Sequence, residues 1–304
     1  MEKPLVSVVL CTFNGASHLQ EQVDSILRQT YRPLELIIAD DASTDDTKKI
    51  LQQYESNPVI KVVYREKNTG LARNFAITAE QTKGELIAFS DQDDIWMENK
   101  IETLVGAIGN SPLVYSDSLL VDEKGNSMNK KLSDLKRMYT GADSRGYMFY
   151  NCVWGHSMLI KRELLLQSYP MPVEIHHDVW LAFQAFLNGG ILYHDEVLTH
   201  YRRHSATSSE ALPQKLAQRK RQQRYQDYHQ KLHWIQLMDE NERDEYKPFY
   251  RQMIQLYSMK EKKSYVWPLV FFMLKHRKAI FRLTHKYFLS QLIEILKQAR
   301  GERP

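Results

Sequence analysis

The sequence predicts an α/β domain built on a mostly parallel sheet, followed by an all-helical extension. Three observations carry this. Short β-branched runs alternate with helix-period segments through the first 120 residues. Turn or cap residues follow each run, and beyond Ser205 every apolar pattern has the helical period. With 304 residues, 43% of them apolar, the chain can bury one sizeable core and carry an appendage.

Leu5–Cys11 reads as a buried strand, and Leu19, Val23, Ile26 and Leu27 then recur at helical spacing. Leu34–Ala39 is a second strand, followed by Asp40-Asp41-Ala-Ser43-Thr44-Asp45, a cap signal before a helix over 47–54. Val59–Tyr64 is a third strand, and Asn68-Thr-Gly70 turns into a helix bearing Ala72, Phe75, Ala76 and Ala79. Leu86–Phe89 is a fourth strand and Leu113–Tyr115 a fifth. Strands separated by helices of this length imply right-handed βαβ units. From 120 to 150 the pattern weakens, with Glu123-Lys-Gly-Asn reading as a turn. Order returns at His156–Ile160, in a helix around 176–187, and in short strands over 191–194 and 197–202. Three helices are expected over 211–240, 243–262 and 266–299, with Pro213, Pro248 and Pro268 near their starts, where proline is tolerated. The expected domains are therefore 1–205 and 206–304.

Charge follows the same division. Residues 206–304 hold 20 Lys+Arg against 10 Asp+Glu, and residues 1–205 hold 21 against 27. An acidic front with a basic tail suits a catalytic domain joined to something that meets an anionic surface. Cys11 and Cys152 alone form no disulfide framework. The N-terminus lacks the charged-then-apolar stretch of a signal peptide, and no window approaches the ~20 apolar residues of a membrane span. A cytoplasmic protein is expected.

The chemistry is concentrated at strand ends. Asp91-Gln92-Asp93-Asp94 packs three carboxylates into four residues where a buried strand opens into a loop. Their mutual repulsion is relieved by a hard divalent cation, Mg²⁺ or Mn²⁺, with positions left for phosphate oxygens. Cys11-Thr12-Phe13-Asn14-Gly15 follows the first strand, Asp41 the second, and Arg73-Asn74 the third. In a parallel sheet these ends share one edge and line one crevice, where open α/β sheets bind ligands. Asp41 offers acceptors to a pyrimidine imide or a ribose. Asn14 and the Thr12–Phe13 backbone offer contacts to a base, and the acidic cluster points to nucleotide-diphosphate chemistry.

Together Val6–Gly15, Ile38–Thr47, Asn68-x-Gly70 and Phe89-Ser-Asp-Gln-Asp-Asp-Ile-Trp96 resemble, in order and spacing, the nucleotide-sugar half of family 2 glycosyltransferases with the GT-A (Rossmann-like) fold. The Asp-Gln-Asp-Asp-Ile-Trp form is similar to the rhamnosyltransferase-like branch of bacterial surface polysaccharide synthesis. The resemblance covers about 1–205. It implies that Cys11, Phe13 and Asp41 contact the base, Asp93 the ribose or diphosphate, and Asp93 or Asp94 the metal, with Asp91 behind them. It further implies a catalytic base at Asp178, where the family has the second residue of a Glu-Asp pair; here His177 replaces the Glu. His204 in Tyr201-Arg202-Arg203-His204 is expected as a further metal ligand, and Arg202 or Arg203 as a phosphate clamp, with a solvated basic turn the competing reading. Trp154, His156, His177 and Trp180 fall where the family builds its acceptor site. The Gln-x-x-Arg-Trp motif of processive synthases is missing.

The expected activity is thus inverting, metal-dependent, non-processive transfer of one sugar. The donor would be dTDP-rhamnose or a UDP-hexose and the acceptor a growing, lipid-linked cell-surface glycan. The rivals are a nucleotidyltransferase, which lacks a basic Gly-rich phosphate loop here, and a non-catalytic membrane- or nucleic-acid-binding module, which leaves the acidic cluster unexplained. No nucleic-acid partner is expected, and oligomerisation is left open. In the tail, Tyr265–Leu274 is apolar, and Phe281, Phe288, Leu289, Leu292, Ile293 and Leu296 lie at helical spacing among seven basic residues and one acid, Glu294. This face suits either an anionic lipid surface, and so a peripheral membrane protein, or packing on protein.

Overall fold

The computed structural model describes residues 2–203, 216–243 and 245–302, and of 216–221 the backbone alone. The chain divides into two compact units, Met1–Ala142 with Cys152–Thr207, and Asp143–Asn151 with Ser208–Pro304.

In the first unit, β1 (Val6–Thr12), β2 (Leu34–Asp40), β3 (Ile60–Tyr64) and β4 (Leu86–Ser90) form a parallel block in the order β3-β2-β1-β4. Every residue of β1 and β4 is buried, as expected of strands covered on both faces. The connecting helices are α1 (Leu19–Leu27), α2 (Thr47–Gln52) and α3 (Leu71–Ala79). Leu19, Val23 and Ile26 of α1 pack with Val8, Leu10 and Leu36 in the core.

Beyond β4 the sheet is mixed. A short β5 (Ile95–Trp96) and helix α4 (Lys100–Ile108) lead into β6 (Leu113–Val121), which is much longer than its apolar start suggests. It pairs with the hairpin strand β7 (Ser127–Lys131) through the turn expected at 123–126, where the Asp122 carboxylate accepts from the Lys124 and Asn126 N–H groups. After α5 (Leu132–Leu135), strand β8 (Met158–Lys161) runs antiparallel between β4 and β6. Helices α6 (Arg162–Gln167) and α7 (His177–Leu187) precede β9 (Ile191–Arg202). The two short strands expected over 191–202 are this one strand, parallel to β6, with register shifts opposite Ser116–Ser118. β5 pairs antiparallel with β9, so that the chain just after the acidic cluster is bonded to the end of the last strand.

In the second unit, α8 (Leu216–Asn241) and α9 (Lys247–Ser258) are the first two helices. The third expected helix is broken into α10 (Trp267–Lys275), α11 (Arg277–Ile280) and α12 (Phe288–Gln298). Ala279, Ile280, Phe281 and Leu283 are all buried, so burial on successive residues there replaces the one-sided pattern of a helix. Pro248 and Pro268 do sit in first turns, and Pro213 lies outside the described residues. The Asp143–Asn151 segment joins this unit, with Ser144 Oγ 2.8 Å from the Tyr250 hydroxyl and Arg282 paired to Asp143 at 2.6 Å. No described helix is long and apolar enough to cross a membrane.

Candidate active site

The C-terminal ends of β1, β2 and β4 open on a cleft of about 500 Å³, lined among others by Cys11, Thr12, Phe13, Asp41, Asp91 and Asp93. Gln92 ties two of the loops together. Its Oε1 accepts from Thr12 Oγ1 at 2.7 Å and from the Phe13 N–H at 2.9 Å. Asp41 is buried and both of its oxygens are spent on the next loop. They accept from the Thr69 and Gly70 N–H groups at 2.9–3.0 Å and from Thr69 Oγ1 at 2.8 Å. Gly70 has φ +86°, a left-handed value that suits glycine, and α3 starts from it. Asn14 fastens the β1 and β2 loops, its Oδ1 accepting from the Thr44 N–H at 2.8 Å. Asn74 lines the cleft, yet its amide bridges the Ala39 carbonyl and Arg65 Nε. Arg73 is exposed and lies outside the cleft lining. Burial pushes the Cys11 thiol up, so it is a neutral wall of the pocket.

The acidic cluster separates into distinct environments. Asp93 faces the cleft, and its backbone carbonyl accepts from Arg202 Nε at 2.8 Å. Asp94 is fully buried; Oδ1 accepts from the Arg202 N–H at 3.1 Å, whereas Oδ2 has no hydrogen-bond partner among the described residues. Asp94 and Asp91 each bring an oxygen to 3.7 Å from His156 Nδ1. One ligand atom from each of the three residues lies within 4.8 Å of the others. The imidazole is held by Ser118 Oγ, 3.0 Å from Nε2, and by stacking on Tyr201 at 4.5 Å.

Burial, with Asp91 and Asp93 adding to it, pushes the Asp94 carboxyl up to about 7 against the pull of His156. Asp91 moves the other way, because His156, His177 and Lys100 together outweigh its burial. A buried carboxylate oxygen without a partner, beside a second carboxylate and an imidazole nitrogen, is a donor set that fits a divalent cation.

Lys100 was not legible as a site residue. It sits on α4, wholly buried, with Nζ donating to Thr199 Oγ1 at 2.8 Å and to the His156 carbonyl, and lying 3.7 Å from the centre of the Trp96 ring. Burial drives its pKa well below the ordinary value, against the opposing charges of Asp94 and Asp91. Only an unexpected lysine on an otherwise apolar helix face could have flagged it.

Arg202 is also buried and its guanidinium is spent on Asp93 and Glu123 carbonyls and on Glu21 Oε2 at 2.7 Å, whereas Arg203 is exposed at the cleft. His204 lies outside the described residues.

Asp178 is in the first turn of α7, half-buried, with Oδ2 accepting from the Gly155 N–H at 3.2 Å. That bond places it next to the turn that carries His156. A Cβ on Gly155 would lie 2.8 Å from His177 Nε2, so a larger residue in this turn would force the His177 ring to shift. His177 is buried and stacked on Phe75 at 3.9 Å; burial lowers its pKa, and neither ring nitrogen has a hydrogen-bond partner among the described residues. Trp180 is packed, donating from Nε1 to the Ser168 carbonyl at 2.7 Å, while Trp154 is half-buried.

The profile of glycosyl transferase family 2 matches residues 7–168. The chain is 46% identical over 103 residues to the putative teichuronic acid biosynthesis glycosyltransferase TuaG of Bacillus subtilis, a match covering 33% of this chain and 40% of TuaG's own length. It is 28% identical over 186 residues to WfgD of Escherichia coli, a UDP-Glc:α-D-GlcNAc-diphosphoundecaprenol β-1,3-glucosyltransferase, covering 60% and 69%. Among solved structures, S. aureus TarS 1–349 in complex with UDP-GlcNAc superposes with TM-score 0.61 at 17% identity, over 97% of this chain and 81% of that one. The mannosyltransferase PcManGT of Pyrobaculum calidifontis, in complex with GDP-Man and Mn²⁺, gives 0.54 at 20% identity over 98% and 86%. The fold is therefore GT-A.

Proposed function

Because the chain belongs to glycosyltransferase family 2, we propose that it moves a single sugar from a nucleoside-diphosphate sugar to a hydroxyl of a lipid-linked cell-surface glycan, inverting the anomeric centre. The observation that carries this reading is a cleft at the sheet's C-terminal edge, lined by Asp91, with Asp94 and His156 of the Asp91–Asp94–His156 cluster buried behind it. UDP-hexoses are the favoured donors, because WfgD is named for UDP-Glc and TarS is bound to UDP-GlcNAc. dTDP-rhamnose belongs in the same test. A diphospholipid-linked acceptor follows from the substrate in WfgD's name.

In this reading Thr12 and Phe13, fixed through Gln92, border the nucleotide base, and Asp41 acts by holding the 68–70 loop in place. Asp91, Asp94 and His156 would hold a divalent ion, Mn²⁺ or Mg²⁺, with Asp93 on the cleft side and Arg203 available to the diphosphate. When bound, that ion offsets the negative charge that grows on the leaving diphosphate. Asp178 takes the proton from the acceptor hydroxyl as it attacks, its carboxylate oriented by the Gly155 N–H. His177 backs it as a neutral, buried ring, and Trp154 borders the acceptor sugar.

The test is transfer from UDP-Glc, UDP-GlcNAc and dTDP-rhamnose to a polyprenyl-diphosphate-linked sugar, with the product anomer read by NMR. Inverted product is expected, abolished by EDTA and restored by Mn²⁺ or Mg²⁺. Asp178→Asn should lower kcat by roughly 10²–10⁴-fold and leave nucleotide affinity unchanged. Retained configuration, or a fully active Asp178→Asn enzyme, would remove Asp178 from the base role.

A further inference from the structure

The second unit carries a surface that transfer chemistry does not use. On α10, Trp267 and Phe271 lie one turn apart and point outward; on α12, Phe288, Leu289 and Ile293 do the same, with Tyr287 just before them. These six side chains are between 53% and 85% exposed, on two helices that pack against each other. Isolated exposed apolar residues are ordinary, whereas a cluster of large aromatic and aliphatic groups marks an interaction surface.

What the cluster meets is indicated by the charge beside it. Lys275, Arg277 and Lys278, where α10 passes into α11, border a hollow of about 410 Å³ together with Arg145 and Arg282. The guanidinium of Arg277 lies 5.3 Å from the ring centre of Phe288, which joins the hollow to the apolar face. Asp143 is the acid paired with Arg145 and Arg282, and no acid lines the hollow among the described residues.

We infer that this face docks on the surface of an anionic bilayer, with the aromatic and aliphatic groups at the depth of the headgroups and acyl-chain ends and the cationic hollow receiving lipid phosphates. Trp and Tyr suit that depth because one end of each ring system is apolar and the other polar. The charge argues against a second copy of the chain as occupant, since two such faces would bring cation against cation. No described helix can span a bilayer, so the attachment lies along the interface. Docking is independent of the proposed transfer activity and is read without it.

The experiment is co-sedimentation of the full chain with phosphatidylcholine vesicles, with and without about one-third phosphatidylglycerol, at low and high salt. Binding is expected only to the anionic vesicles and should weaken steeply with salt. Lys275→Ala with Lys278→Ala should lower partitioning about 30-fold, from roughly 1 kcal/mol for each basic residue near an anionic surface. Phe271→Ala should lower it about tenfold through lost apolar burial. All three positions are exposed, so melting temperatures should match wild type, which separates lost docking from lost folding. Equal sedimentation of wild type and variants, or none with anionic vesicles, would overturn the inference. So would a dimer in analytical ultracentrifugation that Phe271→Ala dissolves while vesicles are ignored.

Discussion

Asp94 holds an oxygen that no donor among the described residues reaches, and the residues around it are arranged to tolerate that charge. His156 approaches from β8's leading turn, and Lys100 from α4 fixes that turn by its carbonyl. The strand-end motif made Asp91, Asp93 and Asp94 visible in the sequence, because repulsion among adjacent carboxylates is a local property. The roles of His156 and Lys100 were not visible, since their hydrogen-bond partners lie 38 to 99 residues away along the chain. Lys100→Met should leave Thr199 Oγ1 and the His156 carbonyl without their buried donor. We expect a loss of roughly 2–4 kcal/mol in chemical denaturation, together with weaker Mn²⁺ binding by calorimetry. A variant of unchanged stability would show that Lys100 does not set the position of His156.

At the scale of elements, the cleft is made by loops that brace one another. Thr12 and Phe13 lean on Gln92, Asn14 on Ser43 and Thr44, and Thr69 and Gly70 on Asp41. The parallel block β3-β2-β1-β4 was legible because buried βαβ strands read as continuous apolar runs. The β6–β9 pairing was not, because nothing local specifies which distant strand a polar-flanked segment such as Tyr193–Val197 will meet. Asp41→Asn tests the bracing. An amide NH₂ would face N–H and O–H donors where a carboxylate now accepts from all of them. A loss of about 1–3 kcal/mol is expected, and hydrogen exchange should quicken at Thr69 and Gly70 before it changes in β1. Unaltered protection there would mean that the loop is held by other contacts.

At the scale of the whole molecule, an acidic α/β unit is followed in the chain by a basic helical one. The charge asymmetry was legible from composition. The break of the last expected helix into α10, α11 and α12 was not, because burial of Phe281 and Leu283 overrides a helical periodicity that runs on through the sequence. In the proposed function the cleft takes a nucleoside diphosphate through a metal held at Asp91, Asp94 and His156. The most direct measurement is the melting temperature of the full chain with UDP, dTDP and GDP, each in Mn²⁺ and in EDTA, for wild type and Asp94→Asn. Asn can still accept the Arg202 N–H at Oδ1, so the variant should fold. A ligand at about 100 times its dissociation constant adds about 2.7 kcal/mol, or roughly 5–10 °C for a domain of this size. That shift is expected for wild type with UDP and Mn²⁺, and should disappear in EDTA and in Asp94→Asn. A nucleotide shift indifferent to both EDTA and Asp94→Asn would contradict the metal site, and no shift with any nucleotide would contradict the nucleotide cleft itself.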